Sequence, residues 1–343
     1  MLHKTILVDK KSNIPLFGID FIGIIDRGTN VIEIKPITLC NLNCIYCFVS
    51  AGDYLTNFVV EPDYLLENIK LLIDLKGKRD IEIHIAPYGE ILLYDKLTYL
   101  IEKLKTLEGV YKISMQTNGL LLTENIITEL EKAGLDQINI SLNTLNKERA
   151  EYLSDLKGYQ LNNLLNMIDF LIKSKIKIII APVWIPKIND QDIQELIRFV
   201  QALNNEAGSP DKVQLGIQKY LIYKKTGRRV KKIRPKSWDY FYSQLKILEK
   251  KFNMKLKLGP KDFNIHKRKG ISLPLKKGDI TQANVISKGR WDNEYITSIN
   301  QIWGIKLVLQ RNQIDLPLIG NRYDIRIIKS KQKENLLTGV LNL

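Results

Sequence analysis

Cys40-Asn-Leu-Asn-Cys44-Ile-Tyr-Cys47 gathers every cysteine of the 343-residue chain into one short stretch. Three residues, then two, separate the thiols, so a single loop can wrap three corners of an iron–sulfur cube, for which thiolate is the preferred ligand. No fourth cysteine exists in the chain, which leaves one iron to an outside ligand, much as a catalytic zinc site keeps a position open. Zinc itself asks for a fourth Cys or His close by, and His3, His84 and His266 are all remote in sequence. An odd count in so short a span argues against a disulfide framework. In a reducing compartment such clustering points to metal or catalysis.

Outward from this loop the chain alternates regularly. Strand-like apolar runs cover residues 31–38, 80–86, 110–116, 137–143, 176–184 and 212–218. Helical patterns lie between them: residues 64–75, with Leu65, Ile69, Leu72 and Ile73 at helical spacing; 123–133, opening on a Thr cap; 161–174; and 190–207. Strand–helix units in series call for parallel strands with crossover helices, in a doubly wound sheet or a barrel. Polar and Gly-rich groups gather just after the strands: the cysteine loop, Tyr88-Gly89-Glu90, Thr117-Asn118-Gly119, Ser141 with Asn143, and Asn189. In such folds the functional loops sit at the carboxyl ends of the strands, so these groups are expected around a common mouth.

The CxxxCxxC spacing, with an aromatic just before the last cysteine, resembles the signature of the radical S-adenosylmethionine (SAM) superfamily. The resemblance implies a partial (β/α)6 TIM-like barrel over roughly residues 31 to 220. It also implies one [4Fe–4S] cluster on Cys40, Cys44 and Cys47, with the SAM amino and carboxylate groups on the open iron. The chemistry implied is reductive cleavage of SAM to a 5′-deoxyadenosyl radical, with an electron donor such as ferredoxin or flavodoxin. Gly89 and Glu90 resemble the family's GGE segment at the methionine amino group, with Tyr88 and Ile91 departing from the pattern. Thr117 and Asn118 resemble the TNG turn near the SAM carboxylate. Ser141 and Asn143 stand where the family offers polar groups to the carboxylate or ribose. Tyr46 matches an aromatic near the adenine, and residues 179–184 with Asn189 resemble the segment that lines it. Classes with a second cluster or a methyl-carrying cysteine pair do not fit a chain whose thiols are all committed. The molybdopterin precursor synthase, which also resembles the barrel portion, carries a C-terminal cluster that is absent here.

Charge singles out the C-terminal third. The chain carries a net +15. Between Leu221 and Arg290 there are 21 Lys and Arg against four acids (Asp239, Glu249, Asp262, Asp279), a local +17 that leaves −2 for the remainder. A field concentrated in this way favours a polyanion, nucleic acid before membrane, with a solvated basic surface as the plain alternative. Lys224, Lys225, Arg228, Arg229, Lys231, Lys232 and Arg234 are the RNA-binding candidates, with Tyr220, Tyr223 and Trp238 nearby to stack on bases. Tyr220 or Tyr223 is also a candidate to return hydrogen to a substrate radical, against a structural role for both. Residues 238–252 read as a helix. From residue 271 short strands punctuated by Gly, Asp and Asn predict a small all-β barrel. Lys277-Gly278-Asp279, Gly289-Arg290, Pro317 and Gly320 give that part a look similar to a TRAM domain.

The expected organisation is N-terminal strands or a hairpin (1–30), a radical SAM (β/α)6 domain (31–220), a basic, partly helical extension (221–270) and a TRAM-like β-barrel (271–343). The whole arrangement resembles an archaeal group of radical SAM oxidoreductases. With 45% hydrophobic and 26% charged residues a sizeable core is available. No apolar run is long enough for a membrane span and no secretory signal opens the chain, so a cytoplasmic enzyme is expected. Modification of RNA, tRNA above all, is the reaction the features suggest together. A radical SAM enzyme for a small metabolite or peptide, and a non-catalytic iron–sulfur RNA-binding protein, are the alternatives.

Overall fold

In the computed structural model, residues 4–222, 227–228, 233–271, 273, 275–300, 302–310, 318–331 and 334–342 are described. Two compact units divide the chain. One combines Met1–Leu39, Asp53–Lys112 and Ile265–Leu343; the other combines Cys40–Gly52 and Ile113–Asn264.

The first unit opens with β1 (Lys4–Val8), β2 (Gly23–Asp26), β3 (Val31–Lys35), β4 (Thr56–Val60), α1 (Pro62–Lys76), β5 (Ile81–Ile85), α2 (Leu97–Lys105) and the start of β6 (Val110–Thr117). β1 and β2 do not pair with each other. β1 runs parallel to β4, while β2 is antiparallel to β3, which in turn is parallel to β5. Helix α1 shows why local sequence suffices for such an element. Glu61 caps it by accepting from the Tyr64 N–H at 2.9 Å, Pro62 occupies the first turn, and Gly77 ends it at φ 92°. Leu65, Ile69, Leu72 and Ile73 form its buried stripe. Its last residue, Lys76, is also buried: Nζ donates to Asp26 Oδ1 at 2.6 Å and to the Thr29 carbonyl at 2.7 Å.

The second unit takes up the end of β6 and continues through α3 (Glu124–Ala133), β7 (Gln137–Ile140), α4 (Lys147–Ser154), α5 (Leu161–Leu171), β8 (Lys177–Ile180), β9 (Val183–Trp184), α6 (Asp190–Glu206), β10 (Val213–Leu215), β11 (Gln218–Lys219) and α7 (Trp238–Phe252). β6, β7, β8 and β10 follow one another in parallel pairs. Ile138 and Ile140 bury one face of β7, while Ile178, Ile179 and Ile180 are buried in succession, as expected of a parallel strand covered on both faces. The run at 176–184 is divided rather than continuous. Pro182 lacks the N–H a central strand needs, so β8 stops short of it and β9 pairs separately with β11.

The chain returns to the first unit as a closed barrel in the order β12-β13-β14-β16-β15. The strands are β12 (Ile280–Lys288), β13 (Glu294–Ser298), β14 (Gly304–Val308), β15 (Arg322–Lys331) and β16 (Leu336–Leu341). Alternate residues point inward, so Ala283, Val285, Ile305, Leu307, Ile325, Ile327 and Leu337 fill the barrel. Mixed α/β architecture with a small all-β barrel at the C-terminal end is thus the fold of this protein. The barrel is not insulated from the N-terminal segment. The Gly304 N–H donates to Phe17 O at 2.7 Å and the Leu337 N–H to Gly18 O at 3.0 Å. A Cβ on Gly18 would lie 2.0 Å from the Gly304 carbonyl oxygen, which explains the glycine. Pro317, one of the TRAM-like features, lies outside the described residues.

Candidate functional site

The cysteine loop is received by the end of α4. The Asn43 N–H donates to Ser154 O at 3.2 Å and the Ile45 N–H to Leu153 O at 3.1 Å. The loop then turns on itself through the Cys47 N–H to Cys44 O at 3.1 Å, and the Ala51 N–H donates to Cys47 Sγ at 3.4 Å. All three cysteines are half-buried and outside any disulfide. The Cys44 thiol is pushed up to about 12, first by burial and then by the neighbouring Cys47 and Cys40 thiolates, with a hydrogen bond from Tyr46 acting in the opposite sense. Thiols that crowd one another in this way are held at a cost that a cationic iron centre relieves, because metal takes the place of the protons. Among the described residues no three His, Cys, Asp or Glu side chains converge on a point as one ion would require. A cubane instead takes one thiolate at each of three separate corners, and the donor set fits that group.

A chain of hydrogen bonds ties the loop to the following strands. Asn143, past the end of β7, donates from Nδ2 to Tyr46 Oη at 2.6 Å and accepts at Oδ1 from the Val183 N–H at 2.8 Å. The Tyr46 hydroxyl is bonded in turn to Cys44, and burial together with that thiolate raises its pKa far above the ordinary tyrosine value. Asn189 is fully buried. It accepts from the Ile185 N–H at 2.8 Å and donates to Val183 O at 2.9 Å and Asn143 O at 3.3 Å. Its amide is therefore saturated and works by fixing the turn that carries Val183. Next to it, Asp192 on α6 accepts from Thr144 Oγ1 at 2.5 Å and Arg149 at 2.6 Å.

The Thr117-Asn118-Gly119 turn meets the loop at another point. Asn118 Nδ2 donates to Asn41 Oδ1 at 2.7 Å, and Thr117 Oγ1 accepts from the Gly119 N–H at 2.9 Å. Gly119 sits at φ 78°, where a side chain is strained. Ser141 Oγ accepts only a long bond from Gln116, 3.5 Å. Thus Tyr46, Thr117, Asn118, Ser141, Asn143 and Asn189 all belong to the unit that carries the cysteines. Gly89 and Glu90 belong to the other unit. There the Glu90 N–H donates to Leu39 O at 2.7 Å, and a Cβ on Gly89 would lie 2.0 Å from that same oxygen. The close approach requires glycine at 89. It makes no such demand at 88, where the Tyr88 ring lies 4.5 Å from Lys35 Nζ.

Arg228, grouped by sequence with the RNA-binding cations, turns its guanidinium to the cysteine loop. It donates to Cys44 O at 3.3 Å, to Ala51 O at 3.0 Å and to Asn43 Oδ1, while its own N–H donates to Cys47 O at 2.8 Å. Nothing in the local sequence marks this contact, which spans more than 180 residues. Arg234 is exposed. Lys224, Lys225, Arg229, Lys231 and Lys232, and also Tyr223, lie outside the described residues. Tyr220 is buried with Leu153 and Ile185, and Ile45 and Tyr46 of the cysteine loop pack on the same cluster.

Parallel strands, a three-thiol loop at their end and a polar network bonded to one of the thiols define an iron–sulfur enzyme of the α/β class. Residues 34–200 match the radical SAM superfamily, and the chain belongs to it. It is 34% identical to the uncharacterized protein MJ0103 of Methanocaldococcus jannaschii over 99% of this chain and 81% of that protein. It is 30% identical to the GTP 3′,8-cyclase of Aquifex aeolicus over 52% of this chain, and spans about half (55%) of that protein's length. Among solved structures, HydG, a maturase of the [FeFe]-hydrogenase, aligns at a TM-score of 0.50 with 12% identity over 74% of this chain and 56% of that one, a likeness of fold alone. The cofactors of the superfamily, and of this enzyme, are a [4Fe–4S] cluster and SAM. No helix among the described residues is long and apolar enough to cross a membrane.

Proposed function

We propose that this enzyme modifies RNA, with tRNA as the substrate class. The observation that carries the reading is the concentration of +17 between Leu221 and Arg290 in a chain whose other residues sum to −2. Phosphate neutralisation by Lys and Arg supplies affinity for nucleic acid, and aromatic side chains add stacking on unpaired bases. Trp238, Tyr240 and Tyr242 of α7 lie within that stretch and are exposed. Cys40, Cys44 and Cys47 would hold the cluster, which when bound supplies the electron that opens the SAM sulfonium to a 5′-deoxyadenosyl radical. An external donor of the ferredoxin or flavodoxin type would reload it. Around the cofactors, Asn143 and Ser141 are assigned to the carboxylate or ribose of SAM, Thr117 and Asn118 to the carboxylate side, and Gly89 and Glu90 to its amino group. Tyr46 is assigned to the adenine side, with Asn189 holding the adenine-lining turn.

Modified-nucleoside analysis of tRNA from a deletion strain tests the proposal. A nucleoside that disappears, or a precursor that accumulates, is the expected result. An unchanged profile overturns it. The likeness to a GTP 3′,8-cyclase favours a second reading, a free purine nucleotide as substrate. Release of 5′-deoxyadenosine stimulated by GTP and not by tRNA would select that reading instead.

A further inference from the structure

Helix α7 carries an aromatic surface that its own packing does not use. Its buried stripe is Phe241, Leu245 and Leu248, yet Trp238 is 49% exposed, Tyr240 44% and Tyr242 38%. Aromatic side chains left this open on a helix with an apolar stripe of its own mark a contact surface. They form part of a continuous aromatic path. The Trp184 and Phe241 rings lie 6.1 Å apart, Phe241 and Trp238 5.9 Å, and Trp238 stacks on Tyr242 at 5.6 Å and 24°. Each exposed ring has a lysine beside it. Lys219 Nζ is 4.9 Å from the centre of Trp238, Lys236 5.3 Å from Tyr240 and Lys257 4.9 Å from Tyr242.

Between this helix and β9 and β11 lies an open pocket of about 310 Å³. Trp184, Tyr220, Tyr240 and Phe241 wall it, with Lys219 and Lys236 among its lining residues. It is a shallow recess open to solvent, and its flat aromatic walls suit the face of one planar ring system rather than a folded partner. The acid in its wall is already engaged: Asp190 accepts from Trp184 Nε1 at 2.7 Å and from the Lys187 N–H at 2.6 Å. The Tyr220 side of the pocket belongs to the apolar cluster on which Ile45 and Tyr46 of the cysteine loop also pack. The pocket is thus backed by the same packing that supports the candidate site.

We propose that this pocket takes an unpaired nucleobase of single-stranded RNA, with Lys219 and Lys236 pairing with the phosphates on either side of it. The inference rests on the RNA reading and deepens it, since it specifies how the strand is anchored. Aromatic walls accept any base by stacking, and lysines beside them favour an anionic backbone over an aliphatic or cationic ligand. A duplex keeps its bases stacked and does not enter.

The test uses the full-length, cluster-loaded protein and a labelled single-stranded oligoadenylate, read by fluorescence anisotropy against a duplex of matched length and against unmodified tRNA. Trp238→Ala with Tyr240→Ala should weaken oligoadenylate binding roughly 5- to 150-fold, the range for losing one stacked base, with iron content and circular dichroism unchanged. Lys236→Gln should lower the salt slope of log affinity by about 0.7, the single-strand value for one phosphate contact. Wild-type affinity for the oligomer in the aromatic variant overturns the pocket and leaves the RNA reading standing. Binding of tRNA without binding of the single strand does the same. Absence of binding to any of the three RNAs overturns both.

Discussion

At the scale of single residues the decisive group is Tyr46. Its hydroxyl stands between Asn143 Nδ2, 2.6 Å away, and the Cys44 sulfur. A donor on a thiolate stabilises negative charge, and the reduced cluster carries one more negative charge than the oxidised one. Hydrogen bonds to the sulfurs are therefore among the features that set the potential of such clusters. One bond worth about 1 kcal/mol corresponds to roughly 40–50 mV for a one-electron couple. Tyr46→Phe should make the cluster harder to reduce by about that amount, measured by an electron-paramagnetic-resonance titration of the reconstituted protein. Asn143→Ala, which frees the hydroxyl from its other partner, should give a smaller change. Equal potentials in Tyr46→Phe and wild type would show that the hydroxyl does not reach the thiolate in the loaded enzyme.

At the scale of elements the cysteine loop is held from both sides, by the end of α4 and by the segment at 227–228. Gly227 is needed for this approach, because a Cβ there would lie 2.6 Å from the Phe48 carbonyl oxygen. Arg228→Ala removes side-chain bonds to Asn43, Cys44 and Ala51 while keeping the backbone bond to Cys47. Charge-assisted bonds at a half-exposed site are worth about 1.5 kcal/mol, so an iron chelator should bleach the roughly 400 nm absorbance of the variant on the order of ten times faster. Lysine at 228 should restore part of the loss. Equal bleaching rates would assign the arginine elsewhere.

This clasp also shows where sequence reading stops. The thiol spacing is legible because cluster chemistry fixes it within one loop, and β3, β5, β6 and β7 are legible because apolar residues recur at every second position, as in Ile81, Ile83 and Ile85 or Ile138 and Ile140. Helix α7 is equally plain, opening on the Ser237 cap and closing at Asn253. By contrast α4 is a polar eight-residue helix burying little beyond Ala150 and Leu153, so its periodicity is too weak to separate from a loop. The pairing of β1 with β4 joins segments some fifty residues apart, where strand character says nothing about the partner. Arg228 sits inside a run of cations, and composition cannot tell a strut from its neighbours.

At the scale of the molecule, three separated stretches of sequence build the first unit, and ion pairs join them. Lys306 of the barrel pairs with Asp20 at 2.5 Å, and Arg290 lies 3.8 Å from the same carboxylate. Glu33 pairs with Lys35 at 2.6 Å and Arg27 at 2.7 Å, and Arg27 reaches Glu334 at 2.5 Å. Burial alone would raise both carboxyls. The cations outweigh it and hold Asp20 at about 2, through Lys306 and Arg290, and Glu33 at about 2, through Lys35 and Arg27. Their unfolded values are about 3.9 and 4.3. A folded pKa below the unfolded one means that the stabilisation is complete above about pH 5 and disappears as pH falls toward 2. Asp20→Asn should therefore lower the urea midpoint clearly at pH 7, by about 1–3 kcal/mol in stability. The difference from wild type should fall by about half near pH 3 and approach zero only below about pH 2, where the folded wild type also carries a neutral side chain at 20. Glu33→Gln should behave in the same way. A gap between variant and wild type that keeps its size from pH 7 to pH 3 would mean that packing at Asp20, rather than its charge, joins the barrel to the N-terminal segment.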